Sequence, residues 1–306
     1  MPAGVLILTG QTAAGKTALA LRLAERFDAE IVGADSRQIY RDMPVGTAAP
    51  SAAERARVRH HLIGFLDPRE RYSAARFVAD ALAAIDEIHA RGGRAIVVGG
   101  TGFYVRVLTG DVALSPVYHD ELRARLAREA RIHEPDVLHE WLAALAPQRA
   151  SALEPGDRYR ITRALEIALT ERSAESTHAV LSSPTSRSLR ELGIPIRKTY
   201  LEVDDATLDA NIALRVDAML ATGFLDEAER IGAEAVAADA VGYREALAYL
   251  AGWSTAAELR AALVRATRRY AKRQATWFRR EPGLERVAAA NAFEQLSAIA
   301  GSLPGW

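Results

Sequence analysis

The chain contains no cysteine. This excludes disulfides, thiolate nucleophiles and cysteine-ligated zinc or iron–sulfur sites, and it indicates a reducing compartment. Neither sign of charge is in excess, because 39 lysine and arginine residues balance 39 aspartate and glutamate residues, so a nucleic-acid site would have to be a local basic patch. Long hydrophobic runs are missing too, since the first apolar run, Val5 to Leu8, is far too short for a signal peptide or a membrane span. We therefore expect a cytoplasmic protein without membrane contacts.

The rest of the composition is that of an ordinary globular protein, with 306 residues of which 49% are hydrophobic and 25% charged. This length predicts about two domains. In the N-terminal third, strand-like runs at Val5 to Leu8, Glu30 to Val32 and Arg94 to Val98 alternate with helix-like segments at Thr17 to Phe27 and Tyr72 to Arg91. Such alternation is typical of an α/β fold in which a parallel sheet has helices on both faces. Ligands of such sheets bind at the carboxyl ends of the strands.

Strand signals stop after the first third of the chain, where charged sequence with apolar residues at helical spacing takes over. A strand pattern returns at Lys198 to Val203. The sequence therefore predicts a discontinuous core domain, residues 1–114 and 191–306, and an all-helical insertion domain, residues 115–190.

The segment Gly10 to Thr17 reads GQTAAGKT and fits the pattern G-x-x-x-x-G-K-[ST]. It follows a predicted strand and opens a predicted helix, the context in which glycines let backbone N–H groups converge on phosphate oxygens. Lys16 adds positive charge, and Thr17 can hold a magnesium ion. We therefore predict a polyphosphate site in a core like that of the P-loop NTPases. The phosphate contacts in this loop are expected at Thr12, Ala13, Ala14, Gly15, Lys16 and Thr17.

Two further elements follow predicted strands and would reach the same edge of the sheet. Asp35 comes after the second strand, where its carboxylate could hold a metal ion, act as a general base or cap the next helix. In the turn Gly99 to Gly102 the glycines, Gly100 among them, allow close backbone approach, and Thr101 would present a hydroxyl near the phosphate loop, which suits stabilising charge on a leaving oxygen. No acid follows Val98, although a P-loop NTPase usually carries a metal-binding carboxylate near the end of a neighbouring strand.

A basic segment near the end of the chain, Leu259 to Arg280, has eight arginine or lysine residues and no acidic one. If the segment is helical, one continuous face carries Arg265, Arg268, Arg269, Lys272 and Arg273. In a protein without net charge, this concentration indicates a track for a phosphate backbone, with an interleaved tyrosine and tryptophan as candidate stacking groups. The alternative is a solvated helix face.

These pieces, in this order, resemble the tRNA dimethylallyltransferases, also called tRNA isopentenyltransferases. The resemblance spans nearly the whole chain, and its terminal run and Asp-Ser-x-Gln-x-Tyr element are more specific than the phosphate loop. The matching stretches are Gly10 to Thr17, Asp35 to Tyr40, Gly46 to Pro50, His60 to Ile63, Tyr72 to Ala75, Val98 to Tyr104, Arg163 to Glu166, Val241 to Glu245 and Arg269 to Arg279.

The resemblance implies transfer of a dimethylallyl group from dimethylallyl diphosphate to the exocyclic N6 of the adenine at tRNA position 37, with Mg²⁺ as cofactor. Asp35 would be the base that takes the N6 proton, and Thr101 would lie beside the diphosphate. Lys16, Thr17 and the metal would neutralise the leaving diphosphate. By resemblance Arg215 also reaches the diphosphate. We expect a monomer.

Recognition of RNA favours unpaired bases, so the target adenine is expected to leave the anticodon stack. The helical insertion would grip the anticodon arm. The tRNA contacts implied by the resemblance are Asp35, Ser36, Arg37, Gln38, Thr101, Arg123, Tyr159, Arg160, Arg163, Gly242, Tyr243, Arg244, Arg269, Lys272, Arg273, Arg279 and Arg280.

Four positions depart from the family pattern. Gln11 stands where proline is usual, Ala49 where lysine is usual, Asn211 where many relatives carry arginine and Tyr159 where glutamine is usual. Ala49 and Asn211 are expected to weaken substrate binding, and Tyr159 alters one RNA contact.

Three other functions compete with this one. A free-nucleotide isopentenyltransferase would use AMP, ADP or ATP as acceptor, and it has less use for a helical insertion and a basic track. A P-loop kinase would transfer phosphoryl groups from ATP, and the missing acid after Val98 argues against it. A tRNA-binding protein without catalysis disagrees with the retention of Lys16, Thr17, Asp35 and Thr101.

Overall fold

A computed structural model describes residues 2–112, 114, 120–177 and 187–306. Within these ranges the strands, in chain order, are β1 (Val5–Gly10), β2 (Ala29–Gly33), β3 (His60–His61), β4 (Arg94–Val98), β5 (Ile196–Glu202) and β6 (Leu284–Ala288). The α-helices of the same ranges are α1 (Lys16–Phe27), α2 (Pro44–Thr47), α3 (Ala52–Arg57), α4 (Ala74–Ala90), α5 (Gly102–Thr109), α6 (Asp120–Ile132), α7 (Pro135–Leu145), α8 (Pro147–Ala150), α9 (Arg158–Thr177), α10 (Asp205–Ala221), α11 (Phe224–Ile231), α12 (Tyr243–Leu250), α13 (Ala256–Phe278) and α14 (Ala292–Gly301).

The strands form one six-stranded sheet in the order β3-β2-β4-β1-β5-β6. Every neighbouring pair is parallel, with Ile7 of β1 opposite Val97 of β4 on one side and opposite Lys198 of β5 on the other. The predicted α/β fold with a parallel sheet is confirmed. Because all strands run in one direction, the loops after β1, β2 and β4 meet at one edge, which is where the sequence placed the candidate site.

The core lies on both faces of the sheet, because every residue of β1 is buried. Helices α1 and α14 pack together and contribute Leu23 and Leu296 to one apolar cluster with Leu6 and Leu8. Helices α4, α5 and α13 also contact each other or the sheet. Among the helices of the described residues, none combines the length and the apolar composition needed to cross a bilayer.

The last segment of the chain adds structure that its sequence did not predict. After Pro282, β6 pairs in parallel with β5, and α14 follows. The pattern was missed because β6 is a short edge strand of five residues with only Val287 fully buried. An edge strand buries too little surface to impose a clear hydrophobic alternation.

The chain divides into two compact units, Met1–Val112 with Ser186–Trp306, and Ala113–Thr185. The second unit is helical wherever it is described in regular structure, and its own apolar cluster includes Leu126, Leu142 and Ile161. The sequence placed the domain boundaries at 114/115 and 190/191. Residues 115–119 and 178–186, beside those boundaries, lie outside the described residues.

Candidate active site

The phosphate loop joins the buried strand β1 to the first turn of α1. Its backbone alternates between ordinary and left-handed conformations, with φ of 63° at Ala13 and 93° at Gly15. Such alternation is the geometry in which successive backbone N–H groups form an anion-binding concavity. Ala13 is strained in this conformation, since a residue with a side chain rarely adopts positive φ. The strain lies at the candidate site, as is common for functional loops.

Two cations converge on this loop. Lys16 is half-buried, and its Nζ donates to the carbonyls of Gly10 (3.0 Å) and Gln11 (2.7 Å). Burial lowers the pKa of Lys16 to about 8, with a further lowering from Arg215 and an opposing effect from Asp35. The guanidinium of Arg215, on α10, donates from Nη1 to the hydroxyl of Thr12 at 2.8 Å. Burial also lowers the pKa of Arg215, while Asp35 raises it. Both cations are therefore poorly hydrated and favour an anionic ligand.

Asp35 follows β2 and begins a turn, not a helix. Its Oδ1 accepts from the backbone N–H groups of Arg37 (2.9 Å) and Gln38 (3.4 Å). This arrangement holds the carboxylate in one orientation and corrects the alternative in which Asp35 caps a helix. The hydroxyl of Thr101 accepts from the backbone N–H of Ser36 at 3.0 Å, so the turn after β4 is tied to the turn after β2.

A cavity of about 680 Å³ opens between these loops. Its size is that of a small-molecule site. Of the predicted residues it brings together Thr12, Ala13, Gly15, Lys16, Thr17, Asp35, Ser36, Arg37, Gln38, Arg215 and Arg273. Ala14, Gly100 and Thr101 are not in its lining.

Two of the departures from the family pattern make contacts at the phosphate loop. Asn211 on α10 donates to the carbonyl of Ala13 at 3.1 Å, and Gln11 donates to the carbonyl of Ala271 at 3.3 Å. Both side chains therefore hold the loop backbone in place.

Gln274 lies in the matching stretch Arg269 to Arg279, but the sequence did not predict its contacts with the phosphate loop. Its side chain is 5% exposed, accepts from the backbone N–H of Thr12 at 2.7 Å and donates to the carbonyl of Gly100 at 3.1 Å. The signal available in the sequence was its position along the helix, because Gln274 shares the buried face of α13 with Ala271 and Phe278. A polar residue on an apolar helix face needs specific partners.

Glu227 was not predicted as a site residue. As for Gln274, its only signal in the sequence is a polar side chain on the buried face of a helix. It lies 1% exposed on the buried face of α11 and accepts from the backbone N–H groups of Val45 (2.8 Å) and Gly46 (2.7 Å). It thereby fixes the start of α2, whose last residue, Thr47, is on the wall of the cavity.

Tyr243 was predicted to contact tRNA, and the structure shows that this prediction is wrong. Its side chain is 0% exposed, packs edge-on against Phe224 and donates its hydroxyl to Glu227 at 2.7 Å. Burial and Glu227 raise the pKa of this phenol. The side chain belongs to the core and presents no surface to RNA, whereas its neighbour Arg244 is exposed.

The basic segment is helical, as predicted, and its apolar residues Leu259, Leu263 and Ala266 are buried in α13. Some of its charges are matched by acidic residues of other elements. Arg260 pairs with Asp217 at 2.6 Å and Arg268 with Asp209 at 2.6 Å. Arg269 lies 4.0 Å from Glu245. All eight basic residues of the segment are exposed, the paired ones included: Arg260, Arg265, Arg268, Arg269, Lys272, Arg273, Arg279 and Arg280.

The two candidate stacking residues of this helix, Tyr270 and Trp277, have neighbours inside the core unit. Tyr270 lines the cavity, with the guanidinium of Arg273 5.6 Å from its ring centre. The Trp277 ring lies under the guanidinium of Arg106 at 4.6 Å. Trp277 is half-buried, so its role as a stacking group for RNA stays a prediction.

In the helical unit, two of the predicted tRNA contacts are arginines paired with a carboxylate, and two are exposed side chains. Arg123 and Arg163 meet the buried carboxylate of Glu166, at 3.3 and 2.6 Å. Tyr159, at the start of α9, is 81% exposed, and its neighbour Arg160 is exposed as well.

The donor set for a magnesium ion is small. Among the described residues, no group of three or more histidine, aspartate or glutamate side chains is arranged to hold a metal. Thr17 and Asp35 do line the same cavity. Mg²⁺ is commonly held by one or two protein groups together with substrate phosphates and water, so these residues fit a magnesium ion that arrives with a diphosphate.

Comparison with known proteins identifies the family. A sequence model described as IPP transferase matches residues 38–281. The chain belongs to the IPP transferase family. A relative from Geobacter sulfurreducens named tRNA dimethylallyltransferase is 41% identical, over 97% of this chain and 95% of its own length. Another of the same name from Alkalilimnicola ehrlichii is 44% identical, over 92% of this chain and 89% of its own length.

Solved structures of the IPP transferase family share the fold. The tRNA isopentenylpyrophosphate transferase of Bacillus halodurans is 32% identical with a TM-score of 0.68, covering 97% of this chain and 96% of that one. A eukaryotic dimethylallyltransferase acting on tRNA is 25% identical with a TM-score of 0.75, covering 97% of this chain and 78% of that one. The resemblance stated from the sequence motifs is thereby confirmed.

Proposed function

We propose that this protein is an enzyme that transfers a dimethylallyl group from dimethylallyl diphosphate to N6 of adenine 37 in tRNA. The observation that carries the proposal is the convergence of Lys16, Arg215 and Asp35 on one cavity at the carboxyl edge of the sheet. The names of the relatives support the same reaction. The enzyme would act in the cytoplasm as a monomer.

The donor diphosphate is proposed to bind the phosphate loop. The adenine N6 lone pair attacks C1 of the dimethylallyl group, the C1–O bond breaks, and the diphosphate leaves with its electron pair. Lys16, Arg215 and the loop N–H groups stabilise this developing negative charge, because their positions are fixed before the reaction. Thr12 supports the arrangement by accepting from Arg215 at 2.8 Å. Thr101 is proposed to lie beside the diphosphate. Its hydroxyl accepts from the backbone N–H of Ser36 and so holds the turn that carries Asp35.

Thr17 is the proposed protein ligand of Mg²⁺, which would supply additional positive charge to the diphosphate when bound. The chain's own cations serve the same end. The lowered pKa of Lys16 means that diphosphate binding also fixes its proton, since an anion beside Nζ favours the charged form.

The acceptor is proposed to approach Asp35, whose carboxylate takes the proton that N6 loses. The carboxylate is preset by its bonds to the N–H groups of Arg37 and Gln38. Reaching an adenine next to the anticodon requires that the base leave the stack. The residues proposed to hold the tRNA are Ser36, Arg37, Gln38, Arg123, Tyr159, Arg160, Arg163, Arg244, Arg269, Lys272, Arg273, Arg279 and Arg280. Gly242 was also expected, but like Tyr243 it is buried, so it is not among them.

One assay tests donor, acceptor and site together. The purified protein is incubated with Mg²⁺, labelled dimethylallyl diphosphate and, in separate reactions, tRNA with adenine 37, the same tRNA with that base changed, and AMP. We expect label only in the first tRNA. Label on AMP would instead identify a free-nucleotide isopentenyltransferase. No transfer to any acceptor, together with ATP-dependent phosphoryl transfer, would identify a kinase and contradict the proposal.

A further inference from the structure

We propose that Gln274 is a positioning residue that locks the phosphate loop to the glycine turn after β4, and so sets the affinity for the donor diphosphate. The inference rests on the proposed function only for the identity of the donor. Gln274 lies on α13, far along the chain from both loops, and its amide makes one bond to each.

The two bonds require an amide. The Thr12 N–H needs an acceptor, which Oε1 supplies at 2.7 Å, and the Gly100 carbonyl needs a donor, which Nε2 supplies at 3.1 Å. Glutamine carries both functions at the end of one side chain. A glutamate of the same shape would keep the first bond but would set a second acceptor against the Gly100 carbonyl.

The glycine at position 100 fits this role. A Cβ built on Gly100 would lie 2.1 Å from Nε2 of Gln274, closer than two such atoms approach. The turn therefore has no side chain where the amide must reach the backbone. The close approach explains Gly100 without any requirement for positive φ.

The bond to Thr12 bears directly on phosphate binding. The backbone of Thr12 is held by Gln274 while its hydroxyl is held by Arg215 at 2.8 Å. Thr12 thus connects the start of the loop to two helices, α10 and α13. Loss of the amide would free the Thr12 backbone and spread the loop N–H groups over several orientations, which lowers the affinity for an anion because preorganisation is lost.

The test compares Gln274→Glu and Gln274→Met with the unchanged protein. Inorganic pyrophosphate affinity is measured by calorimetry, KM and kcat for dimethylallyl diphosphate by label transfer, and tRNA affinity by filter binding. The matched control is Gln295→Glu, which makes the same substitution at an exposed position of α14. At pH 8 we expect Gln274→Glu to weaken pyrophosphate binding and to raise the donor KM about tenfold, the effect of one broken hydrogen bond near charge. The affinity of Gln274→Glu for tRNA should change less than about twofold, which is the scale of a surface substitution. The same limit should hold for the control variant in every measurement.

The pH dependence separates positioning from a general loss of structure. A protonated glutamate regains a hydroxyl donor for the Gly100 carbonyl. The ratio of variant to unchanged pyrophosphate affinity is therefore expected to recover as pH falls from 8 to 6 in Gln274→Glu, but to stay constant in Gln274→Met. If Gln274→Met does not fold, the profile of Gln274→Glu decides alone.

Two outcomes would overturn the inference. One is pyrophosphate affinity within about twofold of the unchanged protein in both variants. The other is a loss of pyrophosphate and tRNA affinity in parallel with no recovery at pH 6, which would make Gln274 a merely structural residue. The pyrophosphate measurement remains decisive even if the unchanged protein transfers no label to tRNA, so failure of the proposed function is seen separately.

Discussion

The phosphate loop and the helical unit are both proposed to meet phosphate groups, yet they are built differently. In the loop, the backbone N–H of Thr12 is fixed by Gln274, a buried residue far away in the sequence. In the helical unit, Tyr159 is exposed, and the nearest charged partner of Arg160 is the local Asp157 at 3.4 Å. A site that stabilises charge on a reacting bond needs fixed and desolvated groups. A surface that grips a large polyanion works with adaptable side chains in water.

The largest expected effect is on chemistry alone. Asp35→Asn should lower kcat by about 10²- to 10⁴-fold, because the variant cannot take the N6 proton. The affinity for tRNA should stay nearly unchanged, since the amide oxygen of asparagine can still accept from the backbone N–H groups of Arg37 and Gln38. Single-turnover label transfer and filter binding measure the two quantities. Asp86→Asn, an exposed position of α4, is the matched control. An unchanged kcat would remove Asp35 from the mechanism.

The second expectation concerns the charge of the loop. The pKa of Lys16 is lowered to about 8, so the ammonium is present below that pH and is lost above it. Pyrophosphate affinity should therefore fall as pH rises through 8, by about tenfold per unit where a single proton is linked to binding. Calorimetry from pH 6.5 to 9.5 measures this slope. Lys16→Arg should bind with a flatter profile, because arginine keeps its charge. A flat profile in the unchanged protein would contradict the lowered pKa.

A smaller effect is expected on the exposed face of α13. Replacing Arg269, Lys272 and Arg273 by alanine should weaken tRNA binding and flatten its salt dependence, because fewer counterions are released. The control is Arg268→Ala, whose guanidinium is already paired with Asp209 at 2.6 Å. Filter binding over a range of salt concentrations gives the slope. An unaltered slope in the triple variant would make this helix a solvated face.

The smallest effect is expected in the helical unit. Tyr159→Ala should weaken tRNA binding by about 1 kcal/mol, the lower end of the range for one base stacked on an aromatic ring. The donor KM should not change, and Tyr159→Phe should bind normally. Ile132→Ala, another exposed position in the same unit, is the control. Equal losses in Tyr159→Ala and Ile132→Ala would show that no specific stacking takes place.

Much of the core and part of the site could be predicted from local pattern. The phosphate loop has a defined spacing, and the strands around it are continuous apolar runs because both faces of the sheet are covered. Other features had weak local signals. Arg215 was placed by family resemblance, since a lone arginine on a helix carries no distinctive pattern. Tyr243 was expected at an RNA surface, but its contact with Glu227 at 2.7 Å belongs to the core.

By itself the sequence determined which segments are strands and helices over most of the chain, where the candidate phosphate site lies, and that Asp35 stands at the edge of the sheet. These properties follow from residues close together in the chain, where periodicity and motif spacing act. The tertiary structure alone decided the partners of Gln274, the bonds of Glu227 to the start of α2 and the pairing of Arg268 with Asp209. Each of these depends on groups remote in sequence, and a bond between such groups exists only once the helices have packed on the sheet.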